Sequence, residues 1–214
     1  MNACFFDLDG TLIDSRADLA ETVNHTRRDF GLAPLPEEEV LSHVGQGARH
    51  LLENAIPECR GRFDEANARF MGRYAEHCCD RVALYPGVMR TLEGLASRGW
   101  RLGVVTNKPA FATRRILEHL GVRGFFGNAV VAGGDCSELK PSAAPLVECA
   151  ARVSHDVSAD DWMVGDSWTD MACAAAAGVK GAFCAFGFGR LRDAAYAVRL
   201  ERMDDLLGFV FEVN

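Results

Sequence analysis

Residues 4–12 of the chain read CFFDLDGTL, a short apolar run that ends in two carboxylates and a glycine. Residues 3–6 are apolar on both faces, which is typical of a parallel-sheet strand covered by helices on each side. Asp7 and Asp9 stand two residues apart, so in an extended chain their carboxylates point to one side and repel. A divalent cation with oxygen ligands would relieve that repulsion, and Gly10 would permit a sharp turn towards a bound anion. The pair alone is equally compatible with an acidic strand end in a solvated turn, so the rest of the chain decides.

Composition places the chain among ordinary globular proteins. Its 214 residues are 49% hydrophobic and 25% charged, and this length predicts one domain with an insertion or two small domains. No run of about 18 apolar residues occurs. A strand is predicted to start by residue 3 with no basic segment before it. We therefore expect a cytoplasmic protein with no signal peptide and no membrane span.

Charges and cysteines argue against several other classes of protein. The net charge is −7 and basic residues never run longer than a pair, so a nucleic-acid surface is not expected. The eight cysteines are scattered without a C-x-x-C pair, which favours reduced, buried thiols. Of 23 basic residues only Lys108, Lys140 and Lys180 are lysine. This raises the question of what an arginine could not do at those positions.

The first part of the chain after the opening strand is helical. Residues 14–84 show helical periodicity and no convincing strand. Ser15, with Asp18 three residues later, resembles a capping box that starts the first helix. Helices are predicted from Ser15 to about residue 30, from residue 37, over 48–55 and over 63–81.

From residue 85 onwards, short apolar strands alternate with helices of about ten residues. Strands are predicted at 101–106, 129–132, 162–165 and 180–186, and helices at 88–98, 111–120, 144–153, 169–177 and 204–210. The alternation predicts a Rossmann-like open parallel α/β sheet. Its core would comprise residues 1–13 and 85–214, with residues 14–84 inserted as an all-helical domain that we call the cap. Ligands bind at the carboxyl ends of strands in such sheets, so the cap is placed to act as a lid.

Polar side chains follow several of the predicted strands. The segments are Asp7-Leu8-Asp9, Thr106-Asn107-Lys108, Leu139-Lys140-Pro141 and Gly165-Asp166-Ser167, with Asp170 four residues after Asp166. Taken singly, Thr106 could be a structural hydroxyl, Lys140 a solvated charge and Asp166-Ser167 a helix cap. Together they place carboxylates, a hydroxyl and an ammonium at one sheet edge, which indicates a catalytic site.

These segments resemble motifs one to four of the haloacid dehalogenase superfamily, in the same order and over almost the whole chain. The matching stretches are DLDGT at 7–11, TNK at 106–108, LKP at 139–141 and GDSWTD at 165–170. The cap is similar to the small helical cap of that family. The resemblance implies phosphoryl transfer with Mg²⁺ as cofactor.

The resemblance also implies a role for each motif carboxylate. Asp7 would attack phosphorus and form an aspartyl-phosphate. Asp9 would protonate the leaving oxygen and then activate the hydrolytic water. The Asp7 side chain, the backbone carbonyl of Asp9 and Asp166 would hold Mg²⁺.

The remaining motif residues would bind or neutralise the phosphoryl group. Thr106 and Asn107, with the backbone at Gly10, would contact its oxygens. Lys140 would neutralise the nucleophile and the phosphoryl group, where a compact ammonium suits better than a guanidinium. Asp170 would orient Lys140.

One loop of the cap indicates contact with the substrate. The stretch VGQGAR at 44–49 is similar to the V-G-x-G loop of phosphoglycolate phosphatases and their sugar-phosphate relatives. This favours substrate contacts from Gly45, Gln46 and Arg49 over a simple turn between helices. Arg49 would pair with a carboxylate of the substrate.

The expected function is Mg²⁺-dependent hydrolysis of a small phosphorylated metabolite, with 2-phosphoglycolate as the best match. A sugar-phosphate phosphatase, or a phosphomutase similar to β-phosphoglucomutase, would keep the same four motifs and stays an alternative. A receiver-like signalling domain would have no helical insertion, and a binding protein would be expected to lack a motif carboxylate. We expect a monomer or a homodimer with no nucleic-acid or membrane partner.

Overall fold

A computed structural model describes residues 2–211, and a parallel sheet lies at its centre. The strands in chain order are β1 Ala3–Phe6, β2 Ile13–Asp14, β3 Ala83–Leu84, β4 Arg101–Pro109, β5 Val130–Gly133, β6 Trp162–Gly165, β7 Lys180–Cys184 and β8 Val198–Leu200. Six of them form one sheet in the order β5-β4-β1-β6-β7-β8, and β2 pairs with β3. All neighbours in the large sheet are parallel. The predicted Rossmann-like fold class is confirmed.

Strand β1 lies where the strand order reverses. It is hydrogen-bonded to β4 on one side and to β6 on the other. The chain first builds outwards through β4 and β5, then crosses β1 to begin the other half of the sheet. At such a switch point a crevice opens outside the carboxyl ends of the strands. Asp7 and Asp9, which follow β1, therefore lie at the position where this class of sheet binds ligands.

Both faces of β1 are buried. The side chains of Cys4 and Phe6 pack into one apolar cluster, and those of Ala3 and Phe5 pack into a second. Because successive side chains of a strand point to opposite faces, these clusters are the two layers of core that flank the sheet. The continuous apolar run at the start of the sequence reflects this double burial.

Helices cover the sheet and form most of the cap. They are α1 Arg16–Asp29, α2 Glu37–Leu41, α3 Ala48–Ala55, α4 Phe63–His77, α5 Val88–Ser97, α6 Ala110–His119, α7 Arg123–Phe126, α8 Ala144–Ala151, α9 Trp168–Ala177 and α10 Leu206–Phe211, with 3₁₀ turns at Pro57–Arg62 and Met203–Asp205. Most predicted helices agree within a few residues, although α4 ends at His77 and not at residue 81. Helix α7, strand β8 and the first 3₁₀ turn are too short to show periodicity and were not predicted. Over residues 2–211, no helix has both the length and the apolar character needed to cross a bilayer.

Two short strands connect the cap to the sheet. Strand β2 pairs with β3 in antiparallel fashion, Ile13 opposite Leu84 and Asp14 opposite Ala83. The prediction of no strand within residues 14–84 is therefore wrong at both ends of that range. Each of these strands has only two residues, too few for an alternation of apolar and polar side chains to be recognised in the sequence.

The carboxylate of Asp18 secures this connection. Its oxygens accept hydrogen bonds from the backbone N–H groups of Arg81 and Val82 at 3.1 Å. The predicted capping box is wrong, because Asp18 is used here and Ser15 makes no side-chain cap to α1. The two chain segments that join the cap to the sheet domain are thus held next to each other by these hydrogen bonds.

The cap packs directly on the sheet. Its residues Leu51, Phe70 and Tyr74 are at most 3% exposed. They belong to the same apolar cluster as Phe6 and Val104 of the sheet. The cap and this face of the sheet therefore share one continuous core.

Candidate active site

Side chains from all four motifs lie at the carboxyl ends of β1, β4 and β6 and in the loop that follows β5. Asp7 follows β1, and its backbone N–H donates to Val164 of β6 at 2.9 Å. Thr106 lies in the last part of β4, Lys140 in the loop after β5 and Asp166 directly after β6. All four motif side chains are buried. The structure thus places them together at one sheet edge.

Lys140 is the cation at the centre of the site. Its Nζ donates to Asp7 Oδ1 at 2.7 Å, Asp170 Oδ1 at 2.6 Å and the backbone oxygen of Val105 at 2.6 Å. Three acceptors match the three donors of an ammonium group. Burial opposes the charged form, but Asp170 and Asp7 outweigh it and raise the pKa of Lys140 above its usual value. Lys140 therefore stays charged and fixes one oxygen of Asp7.

Asp7 is a desolvated carboxylate. Burial is the largest influence and, helped by Asp170 and Asp9, raises the pKa of Asp7 to about 6 against the opposing effect of Lys140. At neutral pH the carboxylate is therefore mostly ionised. An ionised carboxylate can act as a nucleophile.

Asp166 belongs to an acidic cluster with Asp7 and Asp170. Its Oδ2 accepts hydrogen bonds from the backbone N–H groups of Phe188 at 3.0 Å and Gly189 at 2.7 Å. Burial, followed by the charges of Asp170 and Asp7, raises the pKa of Asp166 well above its ordinary value. Each of the three carboxylates offers an oxygen, and these oxygens lie within 4.8 Å of one another.

The chemistry of this cluster fits a divalent metal ion. The motif carboxylates number four and share the edge with two lysine ammonium groups, so ionising all four carboxylates leaves two negative charges that need a cation. Asp170 is already held by Lys140 and by the N–H and hydroxyl groups of Ser167 at 2.9 and 2.8 Å. Oδ2 of Asp7 and Oδ1 of Asp166 are the oxygens left to bind a cation. Hard oxygen donors of this kind are the ligands that Mg²⁺ prefers.

The carboxylate of Asp9 is held by residues that sequence reasoning did not assign to the site. Lys108 Nζ donates to both its oxygens, at 2.7 and 3.0 Å, and the Ser15 hydroxyl donates at 2.5 Å. Lys108 also donates to the Tyr74 hydroxyl of α4 at 2.5 Å. The scarcity of lysine in the chain is the sequence signal that could have identified Lys108. No sequence pattern links Tyr74 to this edge.

Asn107 ties the cap to the site. Its side-chain amide donates to the backbone oxygens of Gly45 and Lys140, both at 2.9 Å, and accepts from the Lys140 N–H at 2.8 Å. The side chain is thus fully used in joining two loops. Any contact of Asn107 with a phosphoryl group would come from its backbone N–H.

Glycines let two loops approach Asp166 closely. Gly10 has a φ of +78°, and a Cβ at this position would lie 1.8 Å from Asp166 Oδ2. A Cβ at Gly187 would lie 2.3 Å from the Gly10 oxygen. The loop at 186–190, which supplies the N–H donors to Asp166, was not predicted as part of the site. Its two glycines around a phenylalanine are the pattern that could have indicated a close approach.

A cavity of about 50 Å³ lies between the cap and the sheet edge. Asp7, Asp9 and Asp166 lie on its sheet side. Its cap side is mostly apolar and includes Leu19, Val44, Leu51 and Phe70. This volume has room for only a few water molecules.

The cap loop predicted to contact substrate is only partly at this cavity. Gly45 and Gly47 line it, whereas Gln46 and Arg49 do not. The Arg49 side chain is 72% exposed and pairs with Glu53 one helical turn later at 3.3 Å. Arg49 therefore lies on the outer face of α3, and the structure does not bring it to the site.

Comparisons with known proteins agree with these motifs. A profile of haloacid dehalogenase-like hydrolases matches residues 4–184. The phosphoglycolate phosphatase of Rhodospirillum rubrum is 41% identical over 198 residues, which cover 88% of this chain and 81% of that protein. The phosphoglycolate phosphatase of Aquifex aeolicus is 32% identical over 208 residues, which cover 97% and 95%.

A solved structure gives the same result. A predicted phosphoglycolate phosphatase from Haemophilus somnus superposes with a TM-score of 0.89 at 28% identity, covering 98% of this chain and 97% of the other. The similarity therefore includes the cap as well as the sheet. Four ordered motifs at one sheet edge and a profile match over most of the chain lead to one assignment: the chain belongs to the haloacid dehalogenase-like hydrolase family.

Proposed function

We propose that the protein is a Mg²⁺-dependent phosphatase that hydrolyses a small phosphomonoester, 2-phosphoglycolate, through an aspartyl-phosphate. The observation that carries the proposal is the setting of Asp7, a buried carboxylate 2.7 Å from Lys140 Nζ and clustered with Asp166. The relatives named phosphoglycolate phosphatase support this substrate. The small size of the cavity under the cap supports a short leaving group.

Asp7 acts as the nucleophile, and Asp9 acts as the general acid and then as the general base. In the first step an oxygen of Asp7 bonds to phosphorus, the bond from phosphorus to the ester oxygen breaks, and Asp9 gives that oxygen a proton. Glycolate leaves and Asp7 carries the phosphoryl group. In the second step Asp9 takes a proton from a water molecule, whose oxygen bonds to phosphorus. The bond from Asp7 to phosphorus then breaks and inorganic phosphate is released.

Other residues bind and balance the phosphoryl group. The Thr106 hydroxyl and the Asn107 backbone N–H would donate to its oxygens. Lys140, held by Asp170 at 2.6 Å, offsets the charge that develops between Asp7 and the phosphoryl oxygens. Because Lys140 is buried, water does little to weaken this interaction.

Asp7, Asp166 and the backbone carbonyl of Asp9 would hold Mg²⁺. The acidic cluster, which needs a cation when all its carboxylates are ionised, supports this ligand set. When bound there, the ion supplies positive charge next to the phosphoryl oxygens.

Phosphate release from 2-phosphoglycolate and p-nitrophenyl phosphate, with Mg²⁺ or with EDTA, tests the proposal. We expect turnover with Mg²⁺ alone, and no turnover after Asp7→Asn. Asp160→Asn is the matched control, because Asp160 is an exposed carboxylate paired with Lys180 at 3.0 Å. Full activity of Asp7→Asn would refute the covalent mechanism. In the same panel, conversion of β-glucose 1-phosphate to glucose 6-phosphate would replace the phosphatase by a mutase.

A further inference from the structure

Lys108 carries the one positive charge among the described residues that line the cavity. Its side chain is 1% exposed. The ammonium lies against both oxygens of Asp9 at 2.7 and 3.0 Å, and against the Tyr74 hydroxyl at 2.5 Å. The ammonium lies 4.9 Å from the Tyr74 ring centroid, at the hydroxyl end of the ring. The cap therefore contributes to holding a buried cation at the active site.

The position of this ammonium can be compared with the shape of the substrate. In the proposed reaction Asp9 contacts the ester oxygen of the leaving group. In 2-phosphoglycolate a single methylene separates that oxygen from the carboxylate. The three N–H bonds of Lys108 already point to Asp9 Oδ1, Asp9 Oδ2 and the Tyr74 hydroxyl. If the longer bond, 3.0 Å to Asp9 Oδ2, turns away from Asp9, the ammonium can donate to the carboxylate of a substrate bound at Asp7.

The other walls offer no competing cation. The cap side of the cavity is apolar at Leu19, Val44 and Phe70. Arg49, the residue expected to bind the carboxylate, is 72% exposed and lies outside the cavity. A carboxylate entering this apolar space needs a charged partner, because an unpaired buried charge is strongly disfavoured.

We propose that Lys108, supported by Tyr74, binds the carboxylate of the substrate and makes the enzyme selective for phosphomonoesters that carry a carboxylate one carbon from the ester oxygen. The proposal rests on the proposed phosphatase function. Lys108 is the specificity-determining residue, and Tyr74 is a positioning residue that acts through it. The cap thereby contributes to selectivity from α4 and not from the loop at 44–49.

The test compares kcat/KM for 2-phosphoglycolate with kcat/KM for ethyl phosphate, which has the same carbon number and a methyl group in place of the carboxylate. We expect Lys108→Met to lower the ratio of the two values roughly 10- to 100-fold, the range for losing a charge-assisted hydrogen bond. An equal loss for both substrates would overturn the proposal, because Lys108 would then act only through Asp9. Lys180→Met removes a half-buried lysine that lies outside the cavity and should leave the ratio unchanged.

Tyr74→Phe keeps the proposal testable if Lys108→Met fails to fold. It retains the buried ring and removes only the hydroxyl that contacts Lys108. We expect the ratio to fall about 3- to 10-fold, and an unchanged ratio in this variant would contradict the role given to Tyr74. Circular dichroism and thermal unfolding establish whether each variant is folded.

The failure of this proposal can be distinguished from failure of the phosphatase function. If the unmodified protein hydrolyses ethyl phosphate and 2-phosphoglycolate with equal kcat/KM, it is a phosphatase and the carboxylate site is refuted. If it hydrolyses neither ester, the phosphatase function fails and binding becomes the readout. Calorimetry with Mg²⁺ should then show 2-phosphoglycolate binding at least 10-fold more tightly to the unmodified protein than to Lys108→Met. Equal affinities would refute the carboxylate site.

Discussion

Replacing Lys140 by methionine should destabilise the protein by about 3–5 kcal/mol, because it leaves buried carboxylates without their cation. Asp170 and Lys140 have side chains that are 0% and 2% exposed, and Asp7 is 10% exposed, so solvent does little to compensate for the loss. The methionine fills most of the space of the lysine stem, so a cavity contributes little. For a protein of this size, the loss corresponds to a melting temperature lower by roughly 6–20 °C.

The destabilisation should depend on pH in a defined direction. Loss of Lys140 removes both the charge and the hydrogen bond that lower the pKa of Asp7, so the folded-state pKa of Asp7 rises above the value of about 6 that it has now. A group with a raised folded-state pKa costs no stability while it is protonated in both states. It costs progressively more as pH rises from its unfolded-state value to its folded-state value. The deficit of Lys140→Met relative to the unmodified protein should therefore be smaller at pH 5 than at pH 8.

Thermal unfolding followed by circular dichroism at pH 5 and pH 8, without added Mg²⁺, measures both effects. Lys180→Met serves as the control, because Lys180 is 34% exposed and pairs with a 72% exposed aspartate. We expect the control to melt within a few degrees of the unmodified protein, as surface pairs contribute little. A Lys140→Met protein that melts like the control at pH 8, or whose deficit is the same at both pH values, would refute the reasoning.

Three further predictions follow from the site. Gly10→Ala should lower kcat/KM about 100-fold, because its Cβ would displace Asp166; Gly31→Ala, which has a similar positive φ but open space around it, should retain activity, and equal activities would contradict this. Mg²⁺ binding near pH 6 should release protons, because burial raises the pKa of Asp7 to about 6 and a bound cation favours the ionised form; calorimetry in two buffers of different ionisation enthalpy measures the release, and no release would count against Asp7 as a ligand. Arg49→Ala should change KM for 2-phosphoglycolate by less than about two-fold, because the side chain is 72% exposed; a larger rise in steady-state assays would bring Arg49 back to the site.

Features with a strong local pattern were predictable from the sequence. Strand β1 was recognised because burial on both faces gives a continuous apolar run, and Phe5 and Phe6 do pack on opposite faces. The convergence of Asp7, Lys140 and Asp166 followed from the rule that parallel strands carry ligands at their carboxyl ends. These inferences concern residues that directly follow strands. In a parallel sheet the direction of the chain places all such residues at the same edge.

Features that depend on contacts between distant segments were not predictable in this way. Tyr74 and Lys108 lie 34 residues apart, and only the packing of α4 on the sheet brings the hydroxyl to the ammonium. Ser15 fits a helix-cap pattern, yet the strand pair next to it turns its hydroxyl to Asp9. Arg49 illustrates the same dependence: the glycine loop beside it favoured a binding role, and the direction of α3, which the sequence does not give, leaves its side chain 72% exposed and outside the cavity.

The strand pair β2–β3 has a consequence for how this protein could be altered. Because Ile13 lies opposite Leu84, the cap leaves and re-enters the sheet domain at one point, so it can be exchanged for a cap from a relative without changing the path of any strand in the large sheet. Such a chimaera would keep the catalytic residues at the sheet edge and would have a different set of cap residues lining the cavity. It would also have to restore bonds that now cross the boundary at the cavity, among them those from Asn107 to Gly45 and from Lys108 to Tyr74. Those two contacts are therefore the first positions to match in any graft intended to change the ester that this scaffold accepts.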